Sequence, residues 1–136
     1  EREFEEILEI SGLQEVLEEL PNGISTEINQ FGMPLSQGDR VTLALARGLI
    51  ARPRILLLDE ALANFDKATQ VAFFRNFDRI AHEKTVIMAT HDIRSTRNFE
   101  QIIVLEKGKV VGCGNHEVLL KNCRLYSELW DMDRKL

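Results

Sequence analysis

The chain has 136 residues, of which 44% are hydrophobic, and a formal net charge of −5. This length suits one domain, and this hydrophobic share is enough to bury a core. Acidic and basic residues are interspersed, so the sequence has no basic stripe of the kind that binds nucleic acid. No apolar run approaches the roughly 18 residues of a membrane span, and the start from Glu1 to Glu6 is too acidic for a signal peptide. We therefore expect any membrane-spanning part to lie outside this chain.

The two cysteines exclude a disulfide scaffold. Cys113 and Cys123 are ten positions apart, which fits neither a C-x-x-C metal or redox pair nor a small secreted protein held by disulfides. We expect both to be reduced structural thiols.

The first 34 residues predict two short helices and a surface loop. Apolar residues recur every three or four positions from Phe4 to Leu20, with a break at Ser11 and Gly12. Residues 21–23 (Pro-Asn-Gly) then end the helical pattern, and the polar stretch up to Pro34 is typical of a loop.

A capped helix is predicted to follow this loop. Ser36 stands where an N-cap belongs, and Asp39, three positions later, can complete a capping box. Arg52 and Pro53 mark its end, because proline cannot continue a helix. One face of this helix is apolar, at Val41, Leu45 and Leu49.

Strands and helices alternate in the rest of the chain, which predicts an α/β fold. Residues 55–58 are continuously apolar, so we expect a strand buried on both faces. A helix over about 67–82 and a strand over 85–89 should come next. The end of the chain predicts strands over 102–105 and 110–113 and helices from about Glu117 onward.

Two adjacent carboxylates end the first predicted strand. Asp59 suits Mg²⁺, a hard cation that one or two carboxylates and substrate phosphates commonly hold. Glu60, one position later, can face an attacking water instead. The alternative is that an apolar strand simply meets solvent at an Asp-Glu pair.

Two other positions carry possible chemistry. Ser36 offers a hydroxyl, Gly38 lets a ligand approach the backbone, and a helix N-terminus favours negative charge. The same residues also describe an ordinary capped helix start. His91 follows a predicted strand at the edge where α/β proteins bind ligands, although a lone histidine there is commonly incidental. We assign no chemistry to His82 or His116.

These segments resemble, in their order and spacing, the ATP-binding-cassette (ABC) ATPases. Ser36 and Asp59 are 23 positions apart, and Asp59 and His91 are 32 apart. The similarity runs through the signature motif (35–39), the Walker B strand with its glutamate (55–60), the D-loop ending at Asp66 and the switch histidine His91. Residues 26–32 look like a segment of exporter-type members, and residues 105–111 and 114–120 are similar to the last strands and following helix of the family.

The resemblance implies a P-loop NTPase-like fold in part. It implies a mostly parallel core sheet flanked by helices, with residues 1–52 as the end of the helical subdomain and signature helix. Residues 53–136 would be the C-terminal half of the ATPase core. The chain contains no G-x-x-x-x-G-K-[ST] phosphate loop and no identifiable Q-loop glutamine. The N-terminal half of the ATPase domain, which carries both, is therefore expected to lie outside this chain.

The resemblance also implies cofactors and residue roles. ATP and Mg²⁺ would be the cofactors, with Mg²⁺ held by Asp59 through water. Catalysis would use Glu60 as general base or water-positioner and His91 as the sensor of the γ-phosphate. The signature loop would bind the ATP of the opposite subunit; its residues are Ser36, Gln37, Gly38 and Asp39. Asp66 would bridge the dimer, and Glu27 would couple the domain to the membrane domain.

This sequence departs from the usual family pattern at two places. Gln37 stands where glycine is usual and Asp39 where glutamine is usual, which puts a carboxylate near a polyphosphate. Residues 61–65 (Ala-Leu-Ala-Asn-Phe) replace the common A-T-S-A-L, which removes both hydroxyl residues from the D-loop.

The partners that the resemblance implies are a second nucleotide-binding domain and the transmembrane domain of an exporter, at the cytoplasmic face of a cell membrane and without nucleic acid. Two alternatives remain at this point. One is an ABC ATPase of the chromosome-maintenance or DNA-repair type, and the other is a non-catalytic regulatory module derived from the cassette.

Overall fold

The chain begins with two helices that meet at a left-handed glycine. The computed structural model describes residues 2–29, 31, 34–63 and 65–133. Helix α1 (Arg2–Ser11) and helix α2 (Leu13–Glu19) are separated by Gly12, whose φ of 76° suits a residue without a Cβ. The predicted break is therefore confirmed. The loop after α2 contains one short 3₁₀ turn (Gly23–Ser25).

Helix α3 (Gln37–Ile50) follows the loop and packs against α1 and α2. Leu45 and Leu49 of its predicted apolar face are buried and Val41 is half-buried, while Thr42 and Ala46 are buried as well. The helix ends before Pro53, with Ala51 as its C-cap.

Ion pairs join α1 to two other segments of the chain. Arg79 in helix α4 (Lys67–Ala81) lies 2.8 Å from Glu9 and 3.3 Å from Glu6, and Arg52 pairs with Glu3 just after α3. These side chains are largely exposed, so burial does more than the ion pairs to hold the helices together. Phe73 of α4 packs against Phe65 and Phe77, with ring centroids 6.4 Å and 5.8 Å apart, and all three rings are buried, as are Leu62 and Ile80.

A parallel strand pair carries α4 as its crossover helix. Strand β1 (Ile55–Asp59) pairs with strand β2 (Thr85–Ala89) in register from Ile55–Thr85 to Asp59–Ala89. The prediction that β1 is buried on both faces is wrong. Leu56 and Leu58 are buried, whereas Ile55 is 59% and Leu57 69% exposed. The reason is that, within the described residues, packing covers only one face of this two-stranded sheet.

Residues 102–133 form a hairpin followed by two helices that cover one of its faces. Strand β3 (Ile102–Glu106) pairs antiparallel with strand β4 (Lys109–Gly114), and helices α5 (His116–Asn122) and α6 (Arg124–Asp133) follow. The hairpin buries one face against these helices, with a core of Ile102, Val104, Leu119, Cys123 and Tyr126. Both cysteines are free thiols, as predicted; Cys113 is exposed and Cys123 is buried.

The described chain divides into two compact units, Glu1–Ala89 and Thr90–Leu136. The α/β class is confirmed, and the parallel pair with its helical crossover is the predicted core motif; the second strand pair is antiparallel. The predicted subdomain boundary after residue 52 is a different division and stays a prediction. Within the described part of the chain, no helix is long and apolar enough to cross a membrane.

Candidate functional site

The start of α3 is held by a reciprocal capping box. Ser36 Oγ accepts a hydrogen bond from the Asp39 backbone N–H at 3.1 Å, and Asp39 Oδ2 accepts one from the Ser36 N–H at 2.8 Å. The predicted N-cap and its partner are therefore confirmed. Because Asp39 turns back onto its own helix, its carboxylate is engaged in the cap.

This arrangement leaves polar groups for an anion. The Ser36 hydroxyl acts as an acceptor in the cap and retains its own hydrogen. Within the described residues, no hydrogen bond uses the first-turn amides of Gln37 and Gly38, and such amides are the ones that a helix leaves unpaired. A hydroxyl and two amides at the positive end of a 14-residue helix form a suitable phosphate cradle.

Arg40 joins the loop that precedes Ser36 to the start of α3. Its Nη1 donates to the Phe31 carbonyl at 3.2 Å, and its Nε donates to the Ser36 carbonyl at 3.3 Å. No local sequence pattern predicts this contact, because its two residues are nine positions apart. The loop includes exposed Glu27, the predicted coupling residue, while Gln30 and Gly32 of the exporter-like segment lie outside the described residues.

The two predicted catalytic carboxylates lie together at the C-terminal end of β1. Asp59 is on the same strand face as Ile55 and Leu57, so it opens on the exposed face of the sheet. Glu60 has a φ of 48°, a left-handed value that is uncommon outside glycine, and its N–H donates to the Ala89 carbonyl at 2.9 Å. This bond sets the backbone of Glu60 against the end of β2. Such strained positions occur often at active sites.

Asp66 caps α4. Its carboxylate accepts from the Thr69 backbone N–H at 2.7 Å, and this bond holds the pKa of the Asp66 carboxyl below its ordinary value because it stabilises the charged form. Ser36, Gly38 and Asp66 line one cleft of about 380 Å³, which α1 and α2 also border. The signature loop and the D-loop aspartate are therefore neighbours. Asn64 of the predicted D-loop lies outside the described residues.

His91 is the second residue of the second unit. It follows β2 and lies within a turn in which the Asp92 N–H donates to Thr90 Oγ1 at 3.0 Å. His116, to which the sequence assigned no chemistry, hydrogen bonds to buried Tyr126. The partners are ten positions apart and the contact has no local pattern, so sequence reasoning missed it.

The residues suit Mg²⁺ held by a few protein oxygens rather than a closed protein cage. Within the described residues, no group of three or more His, Cys, Asp or Glu side chains is placed to hold a metal ion. A single exposed strand-end carboxylate, Asp59, fits a cation that keeps several waters and shares its remaining ligands with phosphates.

Comparison with known proteins identifies this arrangement. The family described as "ABC transporter" matches residues 2–63, from α1 through β1 to the turn that follows it. A solved bacterial Atm1-family ABC exporter with ATP bound superposes with a TM-score of 0.87 at 30% identity, covering 97% of this chain and 23% of the exporter chain. The chain is therefore similar to ABC transporters in both sequence and fold.

The proteins that this chain is similar to include secretion and translocation proteins of bacteria. The cyclolysin secretion/processing ATP-binding protein of Bordetella pertussis is 38% identical over 120 residues, which are 88% of this chain and 17% of that protein. The toxin RTX-III translocation ATP-binding protein of Actinobacillus pleuropneumoniae is 37% identical over 113 residues, covering 83% of this chain and 16% of that protein. The chain thus spans about a fifth of the length of the curated relatives that it matches.

Proposed function

We propose that this chain is the C-terminal part of the nucleotide-binding domain of an ABC exporter, which hydrolyses MgATP at a dimer interface to drive transport. The observation that carries the proposal is the pairing, in one unit, of a phosphate cradle at Ser36 and Gly38 with the carboxylates Asp59 and Glu60. The similarity to exporters in sequence and in structure supports it.

The phosphate cradle would act on the nucleotide of the opposite subunit. This role rests on the resemblance of residues 35–39 to the signature motif of the family. Ser36 would donate its hydroxyl hydrogen to the γ-phosphate, and the amides of Gln37 and Gly38 would donate beside it. The capping box keeps the Asp39 carboxylate engaged with the Ser36 amide, which reduces its repulsion of the phosphate.

The strand end would carry the catalytic carboxylates. Asp59 would hold Mg²⁺ through water, and the ion would supply charge neutralisation for the phosphates. Glu60 would orient the attacking water and accept its proton. The left-handed backbone of Glu60 and its hydrogen bond to the Ala89 carbonyl fix the backbone position from which the Glu60 side chain extends.

His91 would sense whether a γ-phosphate is bound, and Asp66 would bridge the dimer. As the family resemblance implies, His91 would sense the γ-phosphate and would orient Glu60 and the attacking water. Asp66 borders the same cleft as the signature loop, which suits a role in bridging the dimer. Closing the dimer would move the membrane domain through the loop that carries Glu27, at the cytoplasmic face of the membrane.

The comparisons favour transport over DNA repair. The named relatives are export and translocation proteins, and the structural neighbour is an exporter. The chromosome-maintenance alternative has no comparable observation in its favour.

A mixed-dimer experiment in the assembled exporter tests the proposal. Ser36→Arg puts bulk where the partner's phosphate must sit, and Glu60→Gln removes the water-orienting charge while keeping shape. If the signature works in trans, a dimer of one Ser36→Arg and one Glu60→Gln subunit keeps one intact site and loses both functions in the other. We expect the mixed dimer to hydrolyse ATP well above either homodimer.

The homodimers are the controls. Glu60→Gln should lower turnover by roughly 10² to 10⁴, as is typical of a positioned acid–base group, while ATP still closes the dimer. A mixed dimer no more active than the homodimers would reject the trans geometry. Dimer closure by the Ser36→Arg homodimer at the ATP concentration that closes the wild type would remove the cradle from the site.

A further inference from the structure

The hydroxyl of Tyr126 joins three separate segments of the second unit. Tyr126 in α6 is only 1% exposed. Its Oη lies 2.8 Å from Thr96 Oγ1, in the short 3₁₀ helix Ser95–Asn98, and 2.9 Å from His116 Nδ1, at the start of α5. A buried hydroxyl with two polar partners is well satisfied, so this contact can define the geometry of both neighbours.

The donors in this network run in one direction. Thr96 Oγ1 donates to the Ile93 carbonyl at 2.6 Å, which uses its hydrogen. Tyr126 must then donate to Thr96, and His116 Nδ1–H must donate to Tyr126, because each hydroxyl has a single hydrogen. The result is a chain of hydrogen bonds from His116 to the Ile93 carbonyl, two residues after His91. Consecutive hydrogen bonds of this kind strengthen one another.

Helix α6 holds the same turn at a second point. Arg94 Nη2 donates to the Asp133 carbonyl at 2.6 Å, and the Arg94 guanidinium also pairs with the Asp133 carboxylate. Within the same turn, the Asp92 carbonyl accepts a hydrogen bond from Ser95 Oγ at 2.7 Å. The turn over 92–96 is therefore attached to helix α6 at two residues, Arg94 and Thr96.

We propose that Tyr126, with Thr96 and His116, positions His91 by fixing the turn that follows it. This inference rests on the proposed function, because it assumes that His91 acts at the nucleotide. Helix α6 then serves as the support of the switch histidine, and Tyr126, Thr96 and His116 are positioning residues that need not touch ATP themselves.

The main test is Tyr126→Phe in the assembled exporter, because it removes one oxygen and keeps the ring. We expect kcat for ATP hydrolysis to fall by roughly 10- to 100-fold, the loss that a displacement of about 1 Å can cause. KM for ATP and ATP-driven dimer closure should stay within about two-fold of wild type, since the binding groups at Ser36 and Gly38 are unchanged.

Two matched pairs of variants distinguish a positioning role from a general loss of stability. Thr96→Ser keeps the hydroxyl and should retain turnover, whereas the isosteric Thr96→Val should behave like Tyr126→Phe. His116→Asn places an amide nitrogen near the Nδ1 position and should retain turnover, whereas His116→Gln places it near Nε2 and should not. Cys123→Ala is the stability control, because Cys123 is a buried neighbour in the same core outside the hydrogen-bond chain.

The outcomes are distinct for the two proposals. If Tyr126→Phe and Thr96→Val lose no more turnover per folded molecule than Cys123→Ala, the positioning role is rejected. If His91→Ala itself keeps wild-type turnover, the function proposed for His91 fails instead. Loss in His91→Ala without loss in Tyr126→Phe rejects only the present inference.

Discussion

Ser36 and Asp39 exchange two hydrogen bonds at the start of α3, at 3.1 Å and 2.8 Å, so that each side chain caps the other's backbone. This pairing resolves a conflict in the sequence. An aspartate beside a bound polyphosphate would repel it, but here the carboxylate serves the helix start and leaves the Ser36 hydroxyl hydrogen for a ligand.

Removing the cap should cost measurable stability. Ser36→Ala deletes the acceptor for the Asp39 amide, so we expect the free energy of unfolding to fall by about 0.5–2 kcal/mol, as is typical for an N-cap. Asp39→Asn should cost less, because the amide oxygen can still accept from Ser36. Urea unfolding measures both, with Arg47→Ala on the exposed part of the same helix as the control. Equal losses in Ser36→Ala and Arg47→Ala would contradict the capping role.

The isolated 136-residue chain should bind MgATP weakly and should not hydrolyse it. Its cradle supplies a hydroxyl and two amides, whereas the phosphate loop that makes most contacts in such sites is absent from the sequence. Isothermal titration calorimetry measures the affinity, and phosphate release measures the turnover. Sub-micromolar binding by this chain alone would show that it carries a complete site.

Acid should weaken the start of α4 through Asp66. The Thr69 N–H, the largest cause, lowers the pKa of the Asp66 carboxyl from its ordinary 3.8, so the folded state binds fewer protons in acid than the unfolded state. The stabilisation is thus fully present above the ordinary pKa and is lost as the pH falls through the lowered value. Asp66→Asn should flatten the decline in the free energy of unfolding below about pH 5.

The decline in the free energy of unfolding in acid should persist in part in Asp66→Asn. The reason is that Arg52 and Arg79 also lower the pKa values of Glu3 and Glu9 through hydrogen bonds. Asp78→Asn removes the same charge from an exposed position of α4 and is the control. Equal flattening in both variants would assign the effect to net charge instead of to the cap.

Two glycines should respond to alanine with opposite signs. A Cβ at Gly112 in β4 would lie 2.8 Å from Cys123 Sγ and 3.0 Å from Leu119 Cδ2, so Gly112→Ala should destabilise by about 1–3 kcal/mol through overpacking. A Cβ at Gly48 in α3 meets only Leu56 Cδ1 at 3.8 Å, and Gly48→Ala should stabilise by about 0.5–1 kcal/mol. Thermal unfolding compares them. A stabilised Gly112→Ala variant would show that β4 can move away from the helices.

The parts of this fold that depend on neighbouring residues were predictable, and those that depend on distant contacts were not. The cap at Ser36 needs only Asp39 three positions away, and the α4 crossover follows from periodicity. The burial of β1 was mispredicted because hydrophobicity at Ile55 and Leu57 does not say whether a partner covers them. The role of Tyr126 depends on Thr96, 30 positions earlier, and no local pattern encodes that separation.

The uncovered face of β1 and β2 governs how this chain behaves when it is handled alone. Ile55, Leu57 and Ile87 form an apolar row on that face, and within the described residues each strand pairs only with the other, so both outer strand edges stay open. Open edges beside an apolar surface favour strand-to-strand association between molecules. We therefore expect dilution, or the variant Leu57→Lys, to reduce this association in preparations of the isolated chain. Leu57→Lys leaves the buried Leu56 and Leu58 in place.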